Sequence, residues 1–201
     1  LETGAEILIV PNGSPYWQGK ADVHQQVAVT RVVETGLPLV YVNQCGAQDE
    51  LVFDGGSFGL NADRTLAFQL PQFEPNVSLV TWKKSAGKWI CTDGPRAALP
   101  GLEEANWRAC VVGLRDYVNK NGFPGVVLGL SGGIDSAVVA AMAVDALGHD
   151  RVHCVMMPYR YTAEESIADA AGIATTLGIR YDVIPTAAPV EGFLAALEPL
   201  F

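Results

Sequence analysis

Ser131-Gly132-Gly133-Ile134-Asp135-Ser136 lies between a short apolar run, Val126 to Leu130, and an Ala/Val-rich stretch, Ile134 to Leu147. The run has the length and composition of a buried strand, and the stretch after it reads as a helix. Two glycines directly after a strand let the backbone turn sharply and approach a ligand with no Cβ in the way. The N–H groups that open the helix lack partners inside it, and the helix dipole places positive potential there, so the loop suits an anion. The Gly-Lys-Ser/Thr ending of a Walker A loop is absent, so no lysine is set against a transferable γ-phosphate. ATP cleaved between its α and β phosphates fits the residues better. Expected contacts run from Gly129 and Leu130 at the strand end through Ser131, Gly132, Gly133, Ile134, Asp135 and Ser136. The two serines would give hydroxyl hydrogen bonds to pyrophosphate, and Asp135 is a hard oxygen ligand suited to Mg²⁺. Ser, Gly and Asp also open ordinary helices after turns; the flanking strand and helix favour the phosphate-binding reading.

Downstream, strand Val152 to Met156, helix Ala163 to Leu177 and strand Tyr181 to Ile184 continue the alternation. Upstream, Trp107, Cys110, Val111, Leu114 and Val118 are spaced as one apolar helical face. Strands and helices in alternation predict a parallel doubly wound sheet with ligands at the carboxyl ends of its strands. The first part of the chain reads differently. Ile7 to Val10 is expected as a buried strand, Ala21 to Thr35 as a helix with Val23, Val27, Ala28, Val32 and Val33 inward, and Leu39 to Val42 as the next strand. Short strands follow at Leu51 to Phe53, Ser57 to Leu60, Thr65 to Leu70 and Val77 to Trp82, with Asn61-Ala62-Asp63 as a turn. Lys83 to Pro100 carries three lysines, two prolines and little periodicity, which predicts a linker.

The chain has 201 residues, 49% hydrophobic and 17% charged, a soluble globular composition. A net charge of −9 argues against an extended nucleic-acid surface. No apolar run approaches the roughly twenty residues that cross a bilayer. Cys45, Cys91, Cys110 and Cys154 show neither metal spacing nor a disulfide framework, so reduced thiols in the cytoplasm are expected. His24, His149 and His153 lack metal spacing and are expected on surfaces or in loops. Arg160 and Thr162 follow the strand that ends at Met156, beside the expected nucleotide. Phosphate contact is one reading for both; a capping box from Thr162 to Glu165 is another for the threonine.

The loop resembles the signature of the ATP pyrophosphatase (PP-loop) family, whose members adenylate a substrate and let a nucleophile displace AMP. Val155-Met156-Met157-Pro158-Tyr159-Arg160-Tyr161-Thr162, with Glu164, Glu165, Ser166 and Asp169 after it, is similar to a second stretch of the NAD synthetase branch. Gly4 to Tyr16 with Gly19-Lys20, and Leu37 to Ser57, resemble the nitrilase-like glutaminase domain fused to that enzyme. Amidase and PP-loop in this order resemble the glutamine-dependent NAD synthetases over nearly the whole chain.

The resemblance implies the C-terminal part of an αββα glutaminase domain over 1–82, a linker over 83–100, and the start of an adenine nucleotide alpha hydrolase-like domain over 101–201. It further implies ATP and Mg²⁺, deamido-NAD⁺ and glutamine or ammonia as partners, a cytoplasmic homo-oligomer, and no nucleic acid or membrane. The chain looks cut at both ends, and the Glu-Lys-Cys triad of the glutaminase is expected before Leu1. Cys45 is therefore not expected to be the nucleophile. Ser14 and Lys20 match positions that bind glutamine in relatives, where a hydroxyl meets an α-substituent and an ammonium neutralises the carboxylate. Met157 is expected to offer backbone groups to adenine. Tyr159 stands where the family usually has serine. Another PP-loop ligase or thiolase, or a nucleotide-binding module without catalysis, would share the loop but not the amidase half.

Overall fold

The computed structural model describes residues 4–201, so residues 1–3 of the expected first domain lie outside it. The chain divides into two units, the first ending at Asp116 and the second starting at Tyr117. Elements of the first are β1 (Leu8–Asn12), α1 (Lys20–Thr35), β2 (Leu39–Asn43), β3 (Cys45–Gln48), β4 (Leu51–Asp54), β5 (Phe58–Leu60), β6 (Leu66–Gln69), β7 (Thr81–Ser85), β8 (Lys88–Asp93) and most of α2 (Leu102–Lys120).

Four strands form a sheet in the order β1-β2-β5-β6, with β1 parallel to β2 and the other pairs antiparallel. Helix α1 ends where Gly36 takes a left-handed conformation and its N–H bonds the Val32 carbonyl, the usual way a glycine stops a helix. Ala28 and Val32, one turn apart, bury against Leu39, Tyr41, Phe58 and Leu60. Full burial of a valine such as Val32 stabilises by roughly 1.5–3 kcal/mol. The inward stripe is narrower than the sequence suggests: Val23, Val27 and Val33 stay exposed. Among the described residues strand β1 lies at one end of this sheet, with Ile9 67% exposed.

The Asn61 turn forms where expected, with the Asn61 N–H donating to Thr65 O at 2.9 Å. Val77 to Val80 is not a strand, and Val77 and Leu79 are exposed. The expected linker holds a hairpin instead: β7 pairs with β8 around Ala86-Gly87, both with positive φ. Positive φ at both central residues matches the twist that two-residue hairpins need. Asn-Gly or Asp-Gly would announce such a turn, whereas Ala-Gly between exposed lysines hides it. Beyond the hairpin, Gln69 N–H donates to Pro95 O and Ala97 N–H to Gln69 O, fastening the segment to β6.

Helix α2 buries Ala105, Ala109 and Val112 against Ala47 and Phe73, with Tyr16 and Val52 beside them. This face is rotated from the one the large apolar residues suggested, with Cys110 exposed, although Val118 near the end of the helix is buried as expected. Alanines win because they let the helix approach β3 closely enough for Asp116 Oδ2 to accept from Ala47 N–H at 2.8 Å.

The second unit holds β9 (Val126–Gly129), α3 (Ile134–Leu147), a 3₁₀ turn at His149–Arg151, β10 (Val152–Met156), α4 (Glu164–Leu177), β11 (Arg180–Val183) and α5 (Ala187–Leu197). The strands lie in the order β11-β10-β9, all parallel. Buried alanines of α3 (Ala140, Ala143, Ala146) and α4 (Ala170, Ala174) bring these helices close to each other and to the sheet. Among the described residues no helix is long and apolar enough to cross a membrane.

Candidate functional site

Strand β9 ends at Gly129, and the buried Leu130 adds one more ladder bond, its N–H donating to Val155 O at 2.9 Å. The chain then turns through Gly132, whose φ is +81°. A Cβ there would stand 2.3 Å from the Ser166 carbonyl oxygen at the start of α4, so only glycine fits. Gly133 has an ordinary φ of −80°, and a Cβ there would only reach van der Waals contact with Ser131 Oγ at 3.4 Å, so its lack of a side chain serves access rather than conformation.

The two serines stiffen the turn. Ser131 N–H donates to Ser136 Oγ at 3.2 Å, Ser136 Oγ–H donates to Gly133 O at 2.9 Å, and Gly133 N–H donates to Ser131 Oγ at 3.3 Å. Ser131 and Ser136 oxygens lie 3.1 Å apart, which leaves the Ser131 proton as the hydroxyl donor available to a ligand or to its neighbour. No side chain caps α3. Its first-turn N–H groups therefore face outward with the positive end of the dipole, beside the exposed Asp135.

A cavity of about 540 Å³ opens at the carboxyl ends of β9 and β10, lined by Gly129, Leu130, Ser131, Met157, Tyr161 and Ser166 among others. Four expected nucleotide contacts, Gly129, Leu130, Ser131 and Met157, thus meet in one space. Gly132 and Ile134 line a neighbouring groove between α3 and α4. Arg160 lies over the rings of Tyr159 and Tyr161, at 5.2 and 4.9 Å from their centroids, rather than in the cavity wall. Thr162 does not cap α4, whose N-cap is Ala163; its Oγ1 accepts from Tyr159 N–H at 3.0 Å and holds the loop. Among the described residues no three His, Cys, Asp or Glu side chains gather around a metal position. A Mg²⁺ carried by one carboxylate and substrate phosphates needs no such cluster, and an exposed Asp135 at the anion-facing helix end fits that mode.

In the first unit, the loop from Ser14 to Lys20 is held at every turn. Ser14 N–H donates to Asn43 Oδ1 at 2.9 Å, and Asn43 Nδ2 returns a bond to Ser14 O at 3.2 Å. Tyr16 N–H donates to Val52 O, its hydroxyl donates to Asn106 Oδ1 at 2.8 Å, and Lys20 Nζ donates to Pro15 O. Asn43 Nδ2 also donates to the buried Asp54 at 3.0 Å, and Gln72 Nε2 donates to its other oxygen at 2.7 Å. Burial raises the Asp54 pKa, while a backbone hydrogen bond, the Gln72 bond and the Lys20 charge work against the rise. Ser14 and Lys20 are thus brought onto one braced loop.

Family comparison agrees with both halves. Residues 106–199 match the NAD synthase family model and residues 2–90 the carbon-nitrogen hydrolase model. Over 96% of the chain, 53% of residues are identical to the glutamine-dependent NAD(+) synthetase of Rhodobacter capsulatus. Both parts of the chain are similar to the glutamine-dependent NAD(+) synthetases. The chain spans 35% of the Rhodobacter capsulatus relative's length. The glutamine-dependent NAD(+) synthetase of Thermotoga maritima is 33% identical over the whole chain, which covers 40% of it. A solved glutamine-dependent NAD⁺ synthetase from Acinetobacter baumannii, in complex with ADP, superposes with a TM-score of 0.92 at 38% identity, over 100% of this chain and 38% of that one.

Several polar residues of both units escaped the sequence reading. His24 is not a surface histidine: it is partly buried on α1 and lies 3.1 Å from Ser14 Oγ. His153 belongs to β10 and pairs with Asp182 at 2.7 Å. Asp54 and Gln72 gave no local signal; a polar residue closing an apolar strand, as at Asn43, was the one visible hint. Cys45 opens β3, half-buried, and burial raises its pKa, the reverse of what an activated thiolate needs. In the full-length protein Cys45→Ser is expected to keep glutamine-dependent synthesis within about fivefold of wild type, any loss reflecting a buried hydroxyl. Loss of glutamine use with ammonia use intact would make Cys45 the nucleophile and overturn the expected placement of that group upstream.

Proposed function

We propose that the protein carrying this chain amidates deamido-NAD⁺ to NAD⁺, with ATP as the activating substrate and glutamine as the nitrogen source. The observation that carries the proposal is the uncapped N-terminus of α3, reached through the Gly132 turn, opening beside the 540 Å³ cavity at the strand ends. Adenosine would occupy the cavity against Met157, and the phosphates would lie on the 131–136 loop. The nicotinate carboxylate then attacks the α-phosphorus, the bond to the β-phosphate oxygen breaks, and pyrophosphate leaves. Ammonia next attacks the acyl carbon, loses a proton and expels AMP.

Negative charge grows on the departing pyrophosphate, where the first-turn N–H groups of α3 already point, so little reorganisation is needed. Asp135 would hold Mg²⁺, which supplies charge neutralisation on the phosphates. Arg160 would reach a phosphate by leaving its tyrosine contacts. In the amidase half, Ser14 and Lys20 would hold the α-substituents of glutamine, and the covalent thiol chemistry belongs to residues outside this chain. We place the protein in the cytoplasm as a homo-oligomer acting on small molecules, in keeping with its acidic charge.

The test is an assay of the full-length protein with deamido-NAD⁺, ATP, Mg²⁺ and either glutamine or ammonia. NAD⁺, AMP and pyrophosphate are expected in equal amounts. Pyrophosphate release only with a different acceptor would mark another PP-loop ligase or thiolase, and ATP binding without pyrophosphate would mark a binding module. Ser14→Ala and Lys20→Ala are expected to raise the KM for glutamine about tenfold while sparing the ammonia reaction. Equal losses with both nitrogen donors would show a folding defect instead.

A further inference from the structure

His24 lies one helical turn after Lys20 on α1, on the same face, and its ring reaches the loop that Lys20 closes. Nε2 is 3.1 Å from Ser14 Oγ. The ring packs on Tyr41 with centroids 4.9 Å apart, and the Tyr41 hydroxyl is 3.3 Å from Nε2 and 3.4 Å from Nδ1. Asn12 Nδ2 donates to that same hydroxyl at 3.3 Å. The charged and titratable groups around the imidazole are Lys20 and Arg31 on α1, Tyr41 on β2 and Asp54 on β4. Burial, then the Lys20 charge, lowers the His24 pKa, with Asp54 acting the other way, so the ring is neutral near pH 7.

A neutral imidazole has one donor and one acceptor nitrogen, and its tautomer follows from what its neighbours need. Glutamine presents an α-carboxylate and an α-ammonium. Lys20 suits the first. The second needs an acceptor, and Ser14 Oγ becomes one when its own proton is engaged elsewhere. We propose that His24 is a positioning residue that makes Ser14 a reader of the α-ammonium group, by taking the Ser14 hydroxyl proton on Nε2 and turning the Oγ lone pairs toward glutamine. This rests on Ser14 and Lys20 being glutamine contacts. The buried Asp54 behind the same network adds negative potential that favours a cation there. Protonation of His24 reverses the hydrogen bond: Nε2–H then donates to Oγ, and Ser14 must present its proton to an ammonium. Glutamine binding therefore weakens as pH falls through the His24 pKa.

The experiment uses the full-length protein and compares glutamine with glutaramate, the same amide without the α-amino group, as a competitive inhibitor. His24→Ala is expected to raise the KM for glutamine about tenfold, with kcat and the glutaramate inhibition constant each within about twofold of wild type. His24→Gln, whose side-chain oxygen also accepts, is expected to restore the glutamine KM to within about threefold and to remove its rise at acid pH. Parallel weakening of glutamine and glutaramate, or a His24→Gln variant as impaired as His24→Ala, would overturn the role of His24 alone. A wild-type protein that makes NAD⁺ from neither glutamine nor ammonia would overturn the proposed function and this inference together.

Discussion

Asp135→Asn in the full-length protein is expected to lower NAD⁺ formation by about a thousandfold, with glutamine and with free ammonia alike. Under the proposed function both routes share an adenylation step in which ATP loses pyrophosphate, and a neutral amide holds the divalent cation that offsets that charge far more weakly than a carboxylate. Asn keeps the size of the side chain, and Asp135 is exposed in the first turn of α3. The structural cost is then the lost attraction between a carboxylate and the helix N-terminus, about 0.3–1 kcal/mol. Thermal unfolding should barely move while synthesis collapses. Pyrophosphate release at varied Mg²⁺ is the measurement, and near-normal ammonia-dependent synthesis would remove Asp135 from the metal role.

Gly132→Ala should be almost as damaging for a different reason. At φ +81° an added Cβ costs about 1–2 kcal/mol in backbone conformation. It also meets the Ser166 carbonyl oxygen at 2.3 Å, a contact relieved only by moving main chain, at roughly 1–3 kcal/mol more. The loop must swing away from α4, carrying the Ser131–Ser136 pair with it. ATP-dependent pyrophosphate release is expected to fall at least about a hundredfold, with a lower denaturation midpoint. Gly133→Ala is the control, because φ is −80° and its Cβ would come no closer than 3.4 Å, to Ser131 Oγ. A loss at Gly133 without destabilisation would report a ligand pressed against the backbone. Wild-type ATP use by Gly132→Ala would refute the tight-turn account.

The PP-loop half was largely legible in sequence because its information is local. Strand β9 is a continuous apolar run, β10 is broken only by His153, and the helices are long enough for composition to declare them. The bounds of α3 and β10 fall where the residues alone placed them. The loop between β9 and α3 was readable for the same reason, since glycine, serine and helix start act within six residues of one another.

The amidase half shows where such reading stops. The β7–β8 hairpin is held by backbone bonds while its lysines face solvent, so it has no hydrophobic period to read and looked like a linker. The inward face of α2 was decided by how closely alanines let it approach β3, a property of the partner surface as much as of the helix. Ser14, Asn43, Asp54 and Gln72 form one network only because the fold joins positions far apart: 29 residues separate Ser14 from Asn43, and 18 separate Asp54 from Gln72. His24 illustrates both levels. Sequence placed it on a helix four residues after Lys20; the tertiary structure alone set its ring against Ser14 and Tyr41. Periodicity and turn chemistry specify elements through neighbours in the chain, whereas a buried polar site exists only once separate elements pack and must satisfy each other's hydrogen bonds.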